Sequence, residues 1–300
     1  MPEERYPILI VIAAASAWGL FWLPLRAFEE RGLSAGWTTL AVFATPVLVL
    51  LPFAVLRWLR GQPSGVRNAS AGLLAGGAVA LYAESVLLTD VARALILFYV
   101  TPLWSTILEL VVLKRRVTWA RTLALILGLA GLVTILGGRT GVPIPQNMGD
   151  TLALLSGAVW AYGSLRLRTA PDVDTFENVF SFFLFGSAVA LCLVLVLPRD
   201  VTGAAPDMAA QKDLLLWLII AAVAFMIPVM WGLLWGAKHL DPGRLGVLLQ
   251  MEAVVGIGSA ALLTDETFGI VEVLGTVLVI GAGVADVLGH RISRGSARAT

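Results

Sequence analysis

Apolar positions run along this chain in blocks about as long as a bilayer is thick, and charge, proline and glycine break them at regular intervals. Residues 8–28 read ILIVIAAASAWGLFWLPLRAF, 119–138 read WARTLALILGLAGLVTILGG, and 270–289 read IVEVLGTVLVIGAGVADVLG. A helix needs about 20 apolar residues to cross a hydrocarbon core. The breaks divide the chain into ten predicted helices, at 7–28, 35–57, 70–89, 93–113, 120–138, 149–167, 175–197, 214–236, 244–263 and 269–289. The third and fourth are separated only by Thr89-Asp90-Val91-Ala92. Arg5, the apolar run after it and Ala15-Ser16-Ala17 have the order of a cleaved signal. The run continues through Trp18-Gly19-Leu20-Phe21-Trp22, so it is read as the first mature span.

Basic residues give these spans a direction. With ten spans both termini share one side. That side holds 15 of the 21 Lys and Arg residues, among them Arg57, Arg60, Arg67, Lys114, Arg115, Arg116, Arg291, Arg294 and Arg298. The other side holds Arg26, Arg31, Arg93, Arg139, Arg199 and Lys212, together with acids such as Glu29, Asp90, Asp150 and Asp265. An excess of loop Lys and Arg marks the cytoplasm, so both termini are expected there, with 290–300 as a cytoplasmic tail.

Two halves echo each other. Trp18-Gly19 is answered by Trp160-Ala161-Tyr162-Gly163, Arg93-Ala94-Leu95 by Arg244-Leu245-Gly246, and the stretch 127–138 by 274–289, at offsets of about 142–151 residues. Five helices is an odd number, so a second copy enters the membrane from the opposite face. The loop charges agree: Lys114-Arg115-Arg116 follows the fourth helix of the first copy, and Thr264-Asp265-Glu266 the fourth of the second. The predicted fold is therefore an all-α integral membrane protein of ten transmembrane helices, built as two inverted five-helix repeats over 7–138 and 149–289.

Composition narrows the chemistry. The chain is 58% hydrophobic and 14% charged, too apolar for a soluble domain of 300 residues, and its net charge of +1 gives no bias toward nucleic acid. Cys192 is the one cysteine and the histidines number two, too few for a His/Cys metal centre. No Gly-Lys-Ser/Thr phosphate loop is present, so ATP is not the direct energy source, and no cofactor is expected. Ser259 after Gly256-Ile257-Gly258 has no histidine base within a span. Gly281-Ala282-Gly283-Val284-Ala285-Asp286 has no clear partner aspartate. An enzyme is not expected.

Four carboxylates lie inside spans, where ionisable groups are costly and by default suggest function. Glu84, Glu109 and Asp286 lie near span ends, where pairing or partial hydration accounts for them. Glu252 sits mid-span beside Gln250, with no basic residue within two turns. Function and a structural bond to a neighbouring helix weigh equally there. Trp18 and Trp22, four apart, are expected to share a face of the first helix. Tyr82, Tyr99, Trp104, Trp160 and Trp231 lie too deep for the interfacial belts that suit Trp37, Trp58, Trp119 and Trp217. Pro24, Pro102 and Pro228 free carbonyls within spans and are hinge candidates. The glycines of Gly72-x-x-x-Gly76 and Gly232-x-x-x-Gly236 suit close helix packing. No Lys or Arg occupies a span centre, which argues against a phosphorylated substrate. Aromatics around one carboxylate suit a zwitterion with an apolar side chain.

Ten spans, two five-helix repeats, a Trp-Gly first helix and the Glu/Gly pattern closing each repeat resemble the drug/metabolite transporter superfamily, of the EamA-domain kind. The likeness covers 7–289. Within it, the tryptophan-rich first helix and aromatic third and fourth helices look most like aromatic amino-acid exporters of the YddG type. The resemblance implies a bacterial inner-membrane exporter of small metabolites, with multidrug or nucleoside export on the same fold as the alternative. Substrate-binding candidates are Trp18, Trp22, Tyr82, Tyr99, Trp104, Trp160, Trp231, Gln250 and Glu252. Thr101-Pro102 in the first repeat stands where the second has Met251-Glu252, so the two halves of the path are not equivalent.

Overall fold

A computed structural model describes residues 5–63, 69–111, 119–137, 145–169, 173–206, 212–240, 242–264 and 269–297. Among these residues the chain is helical and contains no strands. The first helices are α1 (Arg5–Gly19), α2 (Trp22–Glu30), α3 (Ala35–Leu59), α4 (Ala69–Leu88), α5 (Val91–Phe98), α6 (Thr101–Val111) and α7 (Trp119–Gly137). After them come α8 (Met148–Thr169), α9 (Thr175–Val196), the single turn α10 (Arg199–Thr202), α11 (Lys212–Ala221), α12 (Ile227–His239), α13 (Pro242–Leu263) and α14 (Ile270–Ala297). A π-helical turn over Ala222–Met226 joins α11 to α12. Among the described residues, five segments are long and apolar enough to cross a membrane: Tyr6–Glu30, Ala35–Leu59, Ala69–Leu88, Thr175–Val196 and Leu214–Gly236.

Three of the breaks trace to proline. Pro24 has no N–H for the Leu20 carbonyl. The chain tightens instead, with Leu23 donating to Leu20 and Phe21 to Trp18, and α1 ends at Gly19. Pro102 likewise leaves the Phe98 carbonyl, which accepts the Thr101 hydroxyl at 2.6 Å, and α5 and α6 part at Tyr99-Val100. Before Pro228 the helix widens, and the Ile227 amide reaches back five residues to Ala222. Pro46 and Pro52 sit inside an unbroken α3.

Packing runs from a sealed centre to an apolar outside. Every side chain from Ala75 to Leu87 on α4 is buried, and so is every one on α5. Leu48, Phe53, Leu195, Val196, Leu216, Leu262 and Val277 are exposed on the other helices. Such a continuous apolar surface suits hydrocarbon rather than water. Glycine lets α4 sit directly on its neighbours. A Cβ at Gly76 would lie 2.0 Å from the Phe182 carbonyl oxygen of α9, and one at Gly72 1.9 Å from Ser181 Oγ. Gly232 and Gly236 bring α12 onto Ile10, Val11 and Ala14 of α1 in the same way. The ends of α7 and α14 nearest Gly131 and Val279 pack against each other.

Candidate functional site

Where α1, α4, α5, α8 and α13 meet, the rings form a connected series. Trp18 stacks on Phe21 with centroids 4.5 Å apart, and Phe21 faces Tyr82 at 6.4 Å. Tyr82 meets Phe98 at 4.9 Å, and Phe98 meets both Tyr99 at 5.4 Å and Trp160 at 6.4 Å. Two glycines allow this convergence. A Cβ at Gly19 would lie 2.6 Å from the Glu252 carbonyl oxygen, and one at Gly157 2.7 Å from that of Phe98. Thus α1 lies against α13 at the height of Glu252, and α8 against α5 at the height of Phe98.

Glu252 points into this series. Its side chain is buried, and Tyr99 and Tyr82 are its electrostatic neighbours. Among the described residues no basic side chain pairs with it. A carboxylate buried without a cation holds a proton or awaits a positive group. The aromatic faces around it offer such a group a second attraction.

The sequence candidates divide between this centre and its surroundings. Trp18, Tyr82, Tyr99, Trp160 and Glu252 are brought together. Trp22 lies beside them, its Nε1 donating to Ser259 Oγ at 3.0 Å. Trp18 lies in the last turn of α1 and Trp22 opens α2, on either side of the break that precedes Pro24. Trp104 is partly buried with its Nε1 enclosed and unpartnered. Trp231 stands apart, 38% exposed and edge-on to Phe176 at 6.5 Å. The side chains of Gln250, Pro102, Glu109 and Asp286 lie outside the described residues. Pro24 is partly buried and Pro228 exposed.

Of the two readings left for Glu84, pairing and partial hydration, the structure shows pairing. Glu84 is not half-hydrated at an interface: it is fully buried, with Oε2 accepting from the Thr39 hydroxyl at 2.6 Å and Oε1 without a partner. Phe21 and Phe98, which complete the ring series, were not among the candidates, although each adjoins one that was.

A second polar centre joins the α4–α5 turn to the start of α8. Arg93 is buried and grips Asp150 with Nε and Nη2, each at 2.7 Å. Asp150 also accepts from the Gln146 amide at 2.9 Å and from the Thr89 hydroxyl at 3.2 Å. Arg26 donates to the Thr89 carbonyl at 3.0 Å. Above this network lies a polar pocket of about 360 Å³, lined by residues that include Arg26, Leu87, Leu88, Thr89, Arg93 and Asn147. Nothing in the sequence marked the Arg93–Asp150 pair, whose partners are 57 residues apart. At the opposite end of the bundle, Arg57 of α3 pairs with Asp174, the capping residue of α9, and lies over the Phe176 ring. Lys238 of α12 donates there to the Val173 carbonyl.

The amino-acid sequence matches a known family over residues 5–137 and again over 147–285. The chain belongs to the EamA-like transporter family. It is a multi-pass membrane transporter rather than an enzyme, and the family implies a small-molecule substrate. Among curated relatives, a biotin transporter of Escherichia coli K12 is 26% identical over 219 residues, covering 70% of this chain and 69% of its own. The biotin transporter of Escherichia coli O157:H7 matches equally. A crystal structure at 20% identity shares the fold, with a TM-score of 0.57 over 95% of this chain and 97% of the other.

Proposed function

We propose that this EamA-like protein is a secondary transporter that exports small amino acids, above all aromatic and other apolar ones, across a bacterial inner membrane. The path runs by alternating access through the centre, between two inverted five-helix halves of a ten-span chain with cytoplasmic termini. The observation that carries this reading is Glu252, buried without a basic partner against Tyr99 and a series of rings from Trp18 to Trp160. A substrate ammonium group neutralises Glu252, and an apolar side chain lies along the rings. The unpartnered Trp104 N–H suits a substrate carboxylate oxygen. Pro24, Pro102 and Pro228 are the hinges of this reading.

The match to biotin transporters favours one further reading. A ureido ring also presents N–H donors to a buried carboxylate and an apolar body to aromatic faces. Purified protein in liposomes separates the two, with counterflow measured for phenylalanine, leucine, biotin, a nucleoside and a lipophilic cation. We expect phenylalanine to exchange and Glu252→Gln to slow it about tenfold or more, the loss of one charge-assisted hydrogen bond. Biotin carried in place of amino acids puts the second reading first. Nucleoside or cation transport alone rejects both. Glu252→Gln exchanging at the wild-type rate at every pH removes Glu252 from the site.

A further inference from the structure

We propose that Glu84 is the binding site for the ion that drives transport, and that this ion is a proton entering through the polar pocket beside the α4–α5 turn. The inference rests on the secondary-transporter reading but concerns a group that the substrate site does not use.

Glu84 is fully buried in α4, four residues before the helix ends at Leu88. Its Oε2 accepts from the Thr39 hydroxyl of α3 at 2.6 Å, and its Oε1 is enclosed with no partner. The groups presented to this region by the elements packed on α4 offer it no counter-charge. From α2 the charge that reaches it is Glu29, itself 3.5 Å from Arg26. From α3 it is met by the neutral Thr39. Arg93 of α5 and Asp150 of α8 grip each other close to the α4–α5 turn. The α9 groups placed against the α4 glycines are Ser181, Phe182, Phe185, Gly186 and Val189, none of them charged. An ionised Glu84 here is a desolvated anion with a second carboxylate nearby, a state far costlier than the neutral acid with one unmade hydrogen bond. The described arrangement is therefore the proton-loaded one. A metal cation in its place would need several more oxygen ligands. No cluster of three His, Cys, Asp or Glu side chains forms among the described residues.

The proposed entry is the polar pocket at the end of α4, about one helical turn from Glu84. Leu87, Leu88 and Thr89, within five residues of Glu84 on the same chain segment, line the 360 Å³ pocket together with Arg26 and Arg93. On the expected topology this pocket faces the outside. A proton entering there binds Glu84 and allows α3 and α4 to close over it. Release toward the other side leaves a carboxylate that requires water, so the contact must open before the site reloads. Substrate moving outward as the proton moves inward makes the protein an antiporter.

The test pairs a spectroscopic arm with a transport arm, both on the full chain in lipid. Infrared spectra distinguish the carbonyl stretch of a buried carboxylic acid from a carboxylate and require no substrate. At neutral pH the wild type and Glu252→Gln are expected to share a buried-acid band that Glu84→Gln lacks. Thr39→Val keeps this band but moves its disappearance to higher pH, because the anion loses its hydrogen bond. An unchanged spectrum in Glu84→Gln, or a band indifferent to Thr39→Val, assigns the proton elsewhere and overturns the proposal. In liposomes, wild-type accumulation of phenylalanine or biotin, whichever is carried, follows an imposed proton gradient. Glu84→Gln loses accumulation while retaining exchange at equal concentrations. Gradient-driven accumulation by Glu84→Gln, or a sodium gradient replacing the proton gradient, also overturns it. If neither compound is carried, the substrate reading fails, and the infrared arm still decides Glu84.

Discussion

At the scale of single residues, the hydrogen bond from Trp22 to Ser259 measures how much of the centre depends on directed contacts. It joins α2 to α13 across 237 residues of sequence. Trp22→Phe keeps most of the apolar bulk but removes the donor, and Ser259 still donates to the Gly256 carbonyl at 3.0 Å. The expected cost is about 0.5–1.5 kcal/mol, the net worth of one ordinary hydrogen bond, read as a lowered thermal midpoint of the purified protein. No measurable shift would mean that the indole acts through packing alone. Residue by residue, legibility tracked the range of the interaction. Glu252 stood out because its sequence neighbours offer no cation, a local fact. For Glu84 the sequence left pairing and partial hydration open, because distance from a span end does not reveal which helices cover it. The Thr39 hydroxyl that meets it comes from another helix, 45 residues away.

At the scale of elements, proline decides where helices break and glycine decides which ones touch. Both were visible in the sequence, but their consequences were only half so. The glycines at 72, 76, 232 and 236 were expected to pack helices closely, and they do. Pro24, by contrast, ends α1 at Gly19, so Trp18 and Trp22, read from periodicity as one helix, fall in α1 and α2. Between elements, the Arg93–Asp150 pair ties α5 to the first turn of α8, and both side chains are almost wholly buried. Removing one partner strands the other charge, so Arg93→Leu is expected to destabilise by about 3–5 kcal/mol. Adding Asp150→Asn to Arg93→Leu should recover part of that loss, because no uncompensated charge then remains. Chemical unfolding of the three proteins in detergent checks the order. A double variant less stable than the single one would show that the Asp150 carboxylate serves α8 mainly by accepting from the Gln146 amide.

At the scale of the whole molecule, the helix pairings have the form expected if two halves are related by a two-fold axis. The contact of α1 with α13 is answered by that of α8 with α5 and α6. The contact of α13 with α14 is answered by α6 with α7, and α3 with α4 by α9 with α12, while α3–α9 and α7–α14 each pair an element with its own counterpart. Gly19 under Glu252 and Gly157 under Phe98 occupy corresponding corners of this scheme. The correspondence is not complete. The glycines Gly72, Gly76 and Gly77 of α4 meet α9, whereas Gly232 and Gly236 of α12 meet the Ile10–Ala14 stretch of α1. The reading makes a demand on topology that packing alone does not. If the halves are inverted, the segment after the second span and the segment before the tenth lie on opposite sides of the membrane. In a Cys192→Ser background, Ser64→Cys should react only with a reagent that crosses the bilayer, and Thr267→Cys with one that does not. The basic residues favour this orientation, with Arg57, Arg60 and Arg67 around the first position and Asp265 and Glu266 beside the second. Labelling of both cysteines by the impermeant reagent in intact cells would remove the odd number of helices per half, and with it the inverted repeat.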